Sequence, residues 1–317
     1  MHALFLLSAL LLAMLIGATG AGVLRLGPAG ERRPLALAVL AAPLFVLALA
    51  GLHAAPWFWA RCAPLVGWDR VVSIGLVLMI GLVAVGGLVL NLTRLLLVER
   101  LLASCPPIAG SAIAARASSL AATLGIDPPE LRLLGTDAPV AVTGGLRRPT
   151  IVLSRWLVEQ LDDRELEAVL THELAHLARR DPLTHWLGRL LRDATMYLPS
   201  AWYARRVLEA DAELRADELA VGVTRRPLSM ASALGKVWRQ SASGPTRLSD
   251  LPGYGGPSPT LLEERLGRLL EGRSRRAPVL PGWLVTGASV LLVGTLTPRV
   301  LAIGASMLPL ACHLRTF

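Results

Sequence analysis

The sequence has little charge, few cysteines and almost no lysine. Charged residues make up 17% of its 317 positions, against about 25% in ordinary soluble domains. The three cysteines are far apart and form no C-x-x-C pair, which excludes a disulfide framework and a cysteine-based zinc site. All but one of the 32 basic residues are arginine, and the net charge is +9. In a chain that is 53% hydrophobic, arginines that flank membrane segments explain this charge better than nucleic-acid binding does.

Four apolar runs predict a multi-span membrane protein. A run of roughly 17–25 apolar residues crosses a bilayer, and three runs fit that length: Ala3 to Leu24, Leu35 to Leu52 and Val71 to Leu90. A signal peptide is the alternative for the first run, but the positively charged segment that precedes such a peptide is missing. The fourth run begins near Val279 and either ends near Thr297 or continues past Pro298.

The arginines also predict which side of the membrane each segment occupies. Eight of them flank the segments assigned to the cytoplasm, at positions 25, 32, 33, 94, 100, 273, 275 and 276, and four lie opposite, at 61, 70, 299 and 315. Because positive loops stay inside, the long middle segment is predicted to be cytoplasmic. The predicted domains are 1–98 with three spans, 99–278 as the cytoplasmic domain, and 279–317 as a fourth span with a short tail.

The middle segment predicts a mostly α fold with a small sheet. Its expected helices run from Ser111 to Leu124, from Asp162 to about Asp181, and from Ser200 to Gly222, while Ser241 to Pro259 reads as a loop. Asp162 and Glu165 have the spacing of a capping box. Three β-rich runs cover Leu131 to Leu134, Val140 to Thr143 and Thr150 to Leu153, and Gly144 and Gly145 between the last two favour a hairpin.

One helix carries the motif H-E-x-x-H as His172-Glu173-Leu174-Ala175-His176. Helix positions i and i+4 are about 40° apart and share a face, so both imidazoles can bind one zinc ion. Glu173 lies beside them, where it can take a proton from a zinc-bound water and pass it to a leaving amine. The motif therefore predicts one Zn²⁺ per chain, with His172 and His176 as ligands and Glu173 as the catalytic base.

A catalytic zinc site usually has a third protein ligand, and Glu213 is the stronger candidate. Glu213 and Asp217 are four residues apart on the later helix, so Glu213 can bind zinc while Asp217 orients a ligand histidine. The alternative is an exposed acidic face, since Glu209, Asp211 and Glu218 are close by in the sequence. His185 lies outside the motif and is a weaker candidate. No substrate-binding residue is predicted.

The run Thr171 to Pro182 resembles the zinc helix of the BlaR/MecR-type integral-membrane metallopeptidases, which are antirepressor proteases. Gly145 to Leu153 resembles the strand before that helix, and Tyr197 to Trp202 resembles the family's aromatic-Asn-Pro-x-x-Trp stretch, with Leu198 in place of the usual Asn. Glu213 to Asp217 matches the E-x-x-x-D motif of the related HtpX-type and CAAX-prenyl proteases. In those families the Glu is the third zinc ligand, which implies the same role for Glu213. The resemblance covers about Leu90 to Leu270.

The sequence departs from these families at two places. HtpX-type enzymes have a His-Pro pair before a downstream Arg, whereas here Pro257-Ser258-Pro259 precedes Arg265 and no His is present. This removes the expected source of an oxyanion-stabilising histidine and leaves the role of Arg265 open. The antibiotic sensors of the BlaR/MecR type carry a large binding domain after the fourth span. The given sequence stops at Phe317, so direct antibiotic sensing is not expected.

Together these features predict a multi-pass cell-membrane protein with a cytoplasmic α+β domain of the gluzincin type, a zinc metalloendopeptidase that acts in regulatory proteolysis and signal transduction. Its expected partners are the lipid bilayer and a protein substrate, for which a cytosolic transcriptional repressor is the candidate. An edge strand near Val140 to Thr143 can align an extended substrate. The alternative is a signalling or scaffold membrane protein that acts through a partner repressor. Direct nucleic-acid binding is not expected, because no helix-turn-helix or basic stripe is evident.

Overall fold

A computed structural model describes residues 2–27, 32–52, 67–108, 110–145, 148–243 and 259–271. In chain order the elements are α1 (His2–Leu26), α2 (Arg33–Leu52), α3 (Gly67–Ser104), α4 (Ala112–Thr123), β1 (Glu130–Leu134), β2 (Ala141–Gly144), β3 (Thr150–Ser154), α5 (Arg155–Gln160), α6 (Asp163–Ala178), α7 (Asp181–Ala194), α8 (Pro199–Thr224), α9 (Pro227–Ser243) and α10 (Pro259–Glu271). The fold is mostly helical with a small sheet, as predicted. The predicted fourth span and residues 244–258 of the predicted loop lie outside the described residues.

The chain divides into two compact units, here called the apolar unit and the metal unit. The apolar unit contains the described residues up to Leu90 together with Leu187–Leu208, and the metal unit contains Asn91–Trp186 and the described part of Glu209–Ala277. This grouping places a segment from the middle of the sequence with the first two helices. The helix α3 continues through position 98, where the sequence predicted a domain limit.

The apolar unit is built on the pair α1 and α2, whose sequences are apolar on all sides. Two helices of the described chain are long and apolar enough to cross a membrane, Leu6–Leu26 and Gly67–Ser104, and the apolar part of α2, Arg33–Ala48, is shorter. The first and third predicted spans are therefore confirmed as long apolar helices, the third as part of a longer one. Crossing by all the predicted spans stays a prediction.

The metal unit is built around a three-stranded sheet with the order β1-β3-β2. The central strand β3 is buried along its whole length, pairing in parallel with β1 and antiparallel with β2. The predicted hairpin is confirmed. Gly145 permits it, because its φ is +86° and a Cβ there would overlap the Arg148 carbonyl. Leu170 and Leu174 of α6 pack in the same core as Ile151 and Leu153 of β3, which places one face of α6 against the sheet.

The start of α6 is fixed by the predicted capping box. Asp162 accepts hydrogen bonds from the backbone N–H groups of Arg164 and Glu165, and the Glu165 side chain accepts one from the Asp162 N–H. The Glu165 carboxylate also accepts from Lys236 Nζ at 2.7 Å and from Ser232 Oγ at 2.7 Å, both on α9. Although burial opposes its ionisation, these bonds hold the pKa of Glu165 below its usual value. The local cap therefore also ties α6 to α9.

Candidate metal centre

The two histidines of the motif face each other on α6. His172 Nε2 and His176 Nε2 are 3.1 Å apart, and both side chains are buried. Their ring planes meet at 89° with centroids 4.7 Å apart. Helical i,i+4 spacing explains why they share a face. The two Nε2 atoms are close enough together to reach the same ion.

A buried carboxylate lies at the other ring nitrogen of each histidine. Asp181 Oδ2 is 3.0 Å from His176 Nδ1, in hydrogen-bond geometry. Asp217 Oδ1 is 2.9 Å from His172 Nδ1, a close ion pair that is not aligned for a hydrogen bond. A carboxylate at Nδ1 leaves Nε2 free to bind a metal and fixes the orientation of the ring.

Glu213 completes a three-residue cluster. Its Oε2 is 3.4 Å from His172 Nε2 and its Oε1 is 3.7 Å from His176 Nε2. One ligand atom from each of the three residues lies within 4.8 Å of the others. Two imidazole nitrogens and one carboxylate oxygen are a donor set that suits zinc with a fourth position open. Of the predicted site residues, the fold thus brings His172, His176, Glu213 and Asp217 together.

The acidic residues Glu209 and Glu218, which are near Glu213 in the sequence, lie outside the three-residue cluster. Glu218 is 2.9 Å from Arg215 on the same helix, and its side chain is 44% exposed. Among the described residues, the only cluster of three or more potential ligands is the one formed by His172, His176 and Glu213, and it includes neither Glu209 nor Glu218. The alternative of a uniformly exposed acidic face does not describe α8, because Asp211 and Asp217 are buried.

The charges of the cluster shift several pKa values. Burial disfavours a charged His172, but Asp217 and Glu213 outweigh it and raise the pKa of His172 to about 10. Burial alone would raise the pKa of Glu213 and of Asp217, yet Arg265 and His172 hold both pKa values below the usual range. A ligand histidine must be neutral, so metal binding here would release a proton.

Arg265 is the residue whose role the sequence left open. It is the only buried arginine or lysine in the described part of the chain. Its Nε and Nη2 donate to the two carboxylate oxygens of Asp217 at 2.7 and 2.8 Å, and its Nη1 lies 2.7 Å from Glu213 Oε2. The guanidinium therefore joins α10 to α8 and neutralises part of the negative charge beside the two histidines.

Glu173 lies between the metal cluster and the sheet. Its side chain is buried, and its carboxylate accepts a hydrogen bond from Thr143 Oγ1, which is also 3.3 Å from the Glu173 carbonyl oxygen. Thr143 belongs to β2, the strand that ends the sheet order on that side. The fold thus places the candidate base next to an edge strand.

Sequence reasoning missed Asp181 and Thr143 as members of the site. Asp181 had a local signal, since it follows His176 by five positions and begins α7. Arg180 just before it has a φ of +56°, a left-handed conformation that turns the chain there. Thr143 had no signal beyond its place in a predicted strand. His185, the weaker candidate, lies with its ring centroid 6.4 Å from that of His176, and burial lowers its pKa to about 4.

Comparison with known proteins covers the region of this site. Residues 74–228 match the family model described as BlaR1 peptidase M56. A protease HtpX homolog of Halobacterium salinarum is 40% identical over 75 residues, which is 23% of this chain and 26% of the relative. One from Methanopyrus kandleri is 33% identical over 91 residues, 27% of this chain and 29% of the relative. The chain thus matches less than a third of the length of each of these two relatives.

These relatives and the two long apolar helices indicate a membrane protein of a peptidase family. The matched range includes residues 172–176 and 213–217 of this chain, on which the sequence resemblance rested. A family of metallopeptidases also implies a metal, usually zinc, for which the cluster of two histidines and one glutamate offers a suitable donor set. The matched M56 domain over residues 74–228 and the HtpX relatives support a membrane zinc metallopeptidase family that is related to HtpX.

Proposed function

We propose that this protein is a membrane-embedded zinc endopeptidase that hydrolyses peptide bonds of a protein substrate on the cytoplasmic side of the membrane. The observation that supports it most is the juxtaposition of His172, His176 and Glu213, with Glu173 next to them on the same helix. This arrangement combines three potential metal ligands with a carboxylate base, as a hydrolytic zinc site requires. We assign one Zn²⁺ per chain.

His172, His176 and Glu213 would hold the zinc ion, with Asp217 and Asp181 orienting the two imidazoles. Bound zinc supplies a Lewis acid and lowers the pKa of a water molecule to about 7. The Glu173 carboxylate removes a proton from the attacking water and delivers it to the amine of the leaving peptide. Thr143 fixes the Glu173 side chain by its hydrogen bond, so that the proton acceptor is oriented before substrate binds.

The strand β2 is the proposed docking edge for the substrate. It pairs with β3 on one side, and no described strand pairs with its other side. An extended peptide can add to such an edge through its backbone N–H and C=O groups. Because Thr143 of β2 contacts Glu173, a peptide bound along β2 would pass beside the catalytic base. This favours an unfolded or extended protein segment as substrate.

The cytoplasmic side is proposed from the arginine distribution, and a cytosolic transcriptional repressor is the proposed substrate in a regulatory pathway. A single cysteine at Ser249, in a variant that lacks the three native cysteines, tests the side. We expect an impermeant thiol reagent to label it only after cell lysis. Labelling in intact cells would place the middle segment outside and exclude a cytosolic substrate.

Activity is tested with the purified full chain and β-casein, which presents extended segments without a stable fold. We expect cleavage that a zinc chelator abolishes and added zinc restores, with one zinc bound per chain by metal analysis. Glu173→Gln should bind zinc equally and not cleave. Equal cleavage by wild type and Glu173→Gln would refute the assigned base, and a wild-type chain that binds no zinc would refute the metallopeptidase assignment.

A further inference from the structure

The apolar unit contains an open cavity of about 410 Å³ beside the start of α8. It is lined by Met196, Tyr197, Pro199, Trp202, Tyr203 and Arg206, and it is called here the aromatic cavity. All of these residues belong to the segment Leu187–Leu208, which groups with α1 and α2. The cavity is separate from the metal cluster in the chain and contains none of its residues.

Contacts with α1 give the direction in which the cavity runs. Gly17 of α1 approaches Ser200 so closely that a Cβ at Gly17 would overlap the serine side chain. Further along, the Arg25 guanidinium lies 5.2 Å from the centre of the Tyr203 ring. Gly17 and Arg25 are separated by about 12 Å along a helix with a rise of 1.5 Å per residue. The first turn of α8 therefore extends from the apolar middle of α1 towards its basic end.

The lining changes its character along this direction. Near the Gly17 level lies Pro199, which precedes Ser200 in the chain. Met196 is 53% exposed, and its carbonyl oxygen accepts a hydrogen bond from Trp202 Nε1 at 2.8 Å. Towards the Arg25 level lie Trp202, with the Arg192 guanidinium 4.3 Å from its ring centre, and the exposed Arg206. Tyr and Trp concentrate where the headgroups of a bilayer meet its acyl chains. An apolar end and a basic, aromatic end match the two parts of a phospholipid.

Charge and hydrogen-bonding capacity favour an anionic headgroup. The segment Leu187–Leu208 contains four arginines and one acidic residue, Asp193. Tyr197, which lines the cavity, has a buried hydroxyl without a hydrogen-bond partner in the described part of the chain. Basic groups beside a membrane helix attract the anionic lipids of the cytoplasmic leaflet.

We propose that the aromatic cavity binds an anionic phospholipid, with its acyl chains towards Pro199 and the apolar middle of α1 and its phosphate towards Arg206 and Arg25. This goes beyond the proposed peptidase function and does not depend on zinc. It depends on α1 lying in a bilayer, as its length and composition indicate. The bound lipid would fill the space between the segment Leu187–Leu208 and the surrounding membrane.

Trp202 provides a direct probe, because bromine atoms on lipid chains quench nearby indoles. The full chain is reconstituted in nanodiscs with rising fractions of brominated phosphatidylglycerol or brominated phosphatidylcholine. The chain has eight tryptophans, so the signal of Trp202 is the difference between wild type and Trp202→Phe, a change that retains an aromatic ring. We expect this difference to reach half of its maximum at a lower fraction of phosphatidylglycerol than of phosphatidylcholine.

Removal of one arginine tests whether the headgroup is recognised. Arg206→Gln should weaken the response to phosphatidylglycerol about fivefold, the change expected for one basic residue at a membrane surface. Arg226→Gln is the matched control, since Arg226 is an exposed arginine of the metal unit with a 3.4 Å contact to Glu167. Equal responses to the two lipids, or equal effects of the two substitutions, would overturn the proposal.

Discussion

The helices α3 and α6 both depart from the usual pattern, in which apolar residues are buried and polar residues are exposed. In α3 the side chains of Leu78, Leu82 and Val85 are 60–75% exposed. In α6 the polar side chains of His172, Glu173 and His176 are buried. The first pattern costs free energy in water, because apolar surface favours burial. The second costs free energy unless the buried polar groups find partners that replace water.

Each pattern is explained by a different partner. Exposed leucines on α3 are stable if lipid chains cover them, since lipid is as apolar as the side chains themselves. Buried histidines on α6 are stable because carboxylates and, in the proposed enzyme, a metal ion satisfy their nitrogens. The comparison teaches that burial alone identifies neither a core helix nor a functional helix. What distinguishes these helices is the group that replaces water around their side chains, and the variants that follow each change one such group.

The largest effect is expected from the base on α6. Glu173→Gln keeps the size of the side chain but cannot accept a proton, so the rate of casein cleavage should fall by about 10²- to 10⁴-fold. Glu167→Gln on the same helix is the control and should retain activity, because Glu167 lies away from the cluster and contacts Arg226. Loss of activity in both variants would indicate damage to the helix and not removal of a base.

Removal of the carboxylate ligand should have the next largest effect, on metal binding. Glu213→Ala should weaken zinc affinity more than about a hundredfold, which is above the effect typical of an outer carboxylate. Titration against a chelator of known affinity measures it. Glu209→Ala and Glu218→Ala remove equivalent charges from the same helix and should leave the affinity unchanged. Equal zinc content in all three variants would leave the third ligand unassigned.

The exposed face of α3 is tested by a charge. Leu82→Arg should oppose membrane insertion by about 3 kcal/mol if Leu82 faces lipid at the centre of a span. Leu270→Arg is the control on α10 of the metal unit, where the leucine is 62% exposed and water is the expected neighbour. The fraction of chain that resists alkaline extraction from membranes reports insertion. Similar fractions for the two variants would remove the distinction between lipid and water as partners.

The smallest of these effects is expected at the second orienting carboxylate. Asp181→Asn keeps the shape of the side chain but loses its charge at His176 Nδ1, so zinc affinity should fall by about 10- to 100-fold. Asp163→Asn provides the control, because the Asp163 side chain is 89% exposed at the start of α6. Chelator titration of both variants is the measurement. An unchanged affinity in Asp181→Asn would mean that the bond at His176 Nδ1 does not support the ligand.

Local features were predictable from the sequence because neighbouring residues determine them. The capping box of α6, the start of α4 at Ser111 and the hairpin at Gly145 all depend on residues within a few positions, and each is confirmed. The side-by-side placement of His172 and His176 follows from helical spacing in the same way. The predicted roles of these residues in catalysis remain to be tested by the variants above.

Non-local features were not predictable from one sequence. The parallel pairing of β1 with β3 and the contact of Thr143 with Glu173 depend on how distant segments pack. Arg265 reaches Asp217 from another helix, with no pattern in the sequence that links the two. The end of α3 was also not predicted: the apolar run stops near Leu90, while the helix continues to Ser104 through a segment that mixes leucines with Arg94, Glu99 and Arg100, residue types that favour helix.

The capping box at Asp162 and Glu165 has a consequence for the order of folding. Its bonds are local, so the zinc helix can nucleate early, whereas Glu213 joins the histidines only after a long loop has closed. Since Glu165 also anchors α9 through Lys236 and Ser232, we expect the scaffold of the site to form without the metal. Zinc loading would then be a late and reversible step, and a chelator should yield an inactive protein that keeps its helical content and regains activity without refolding.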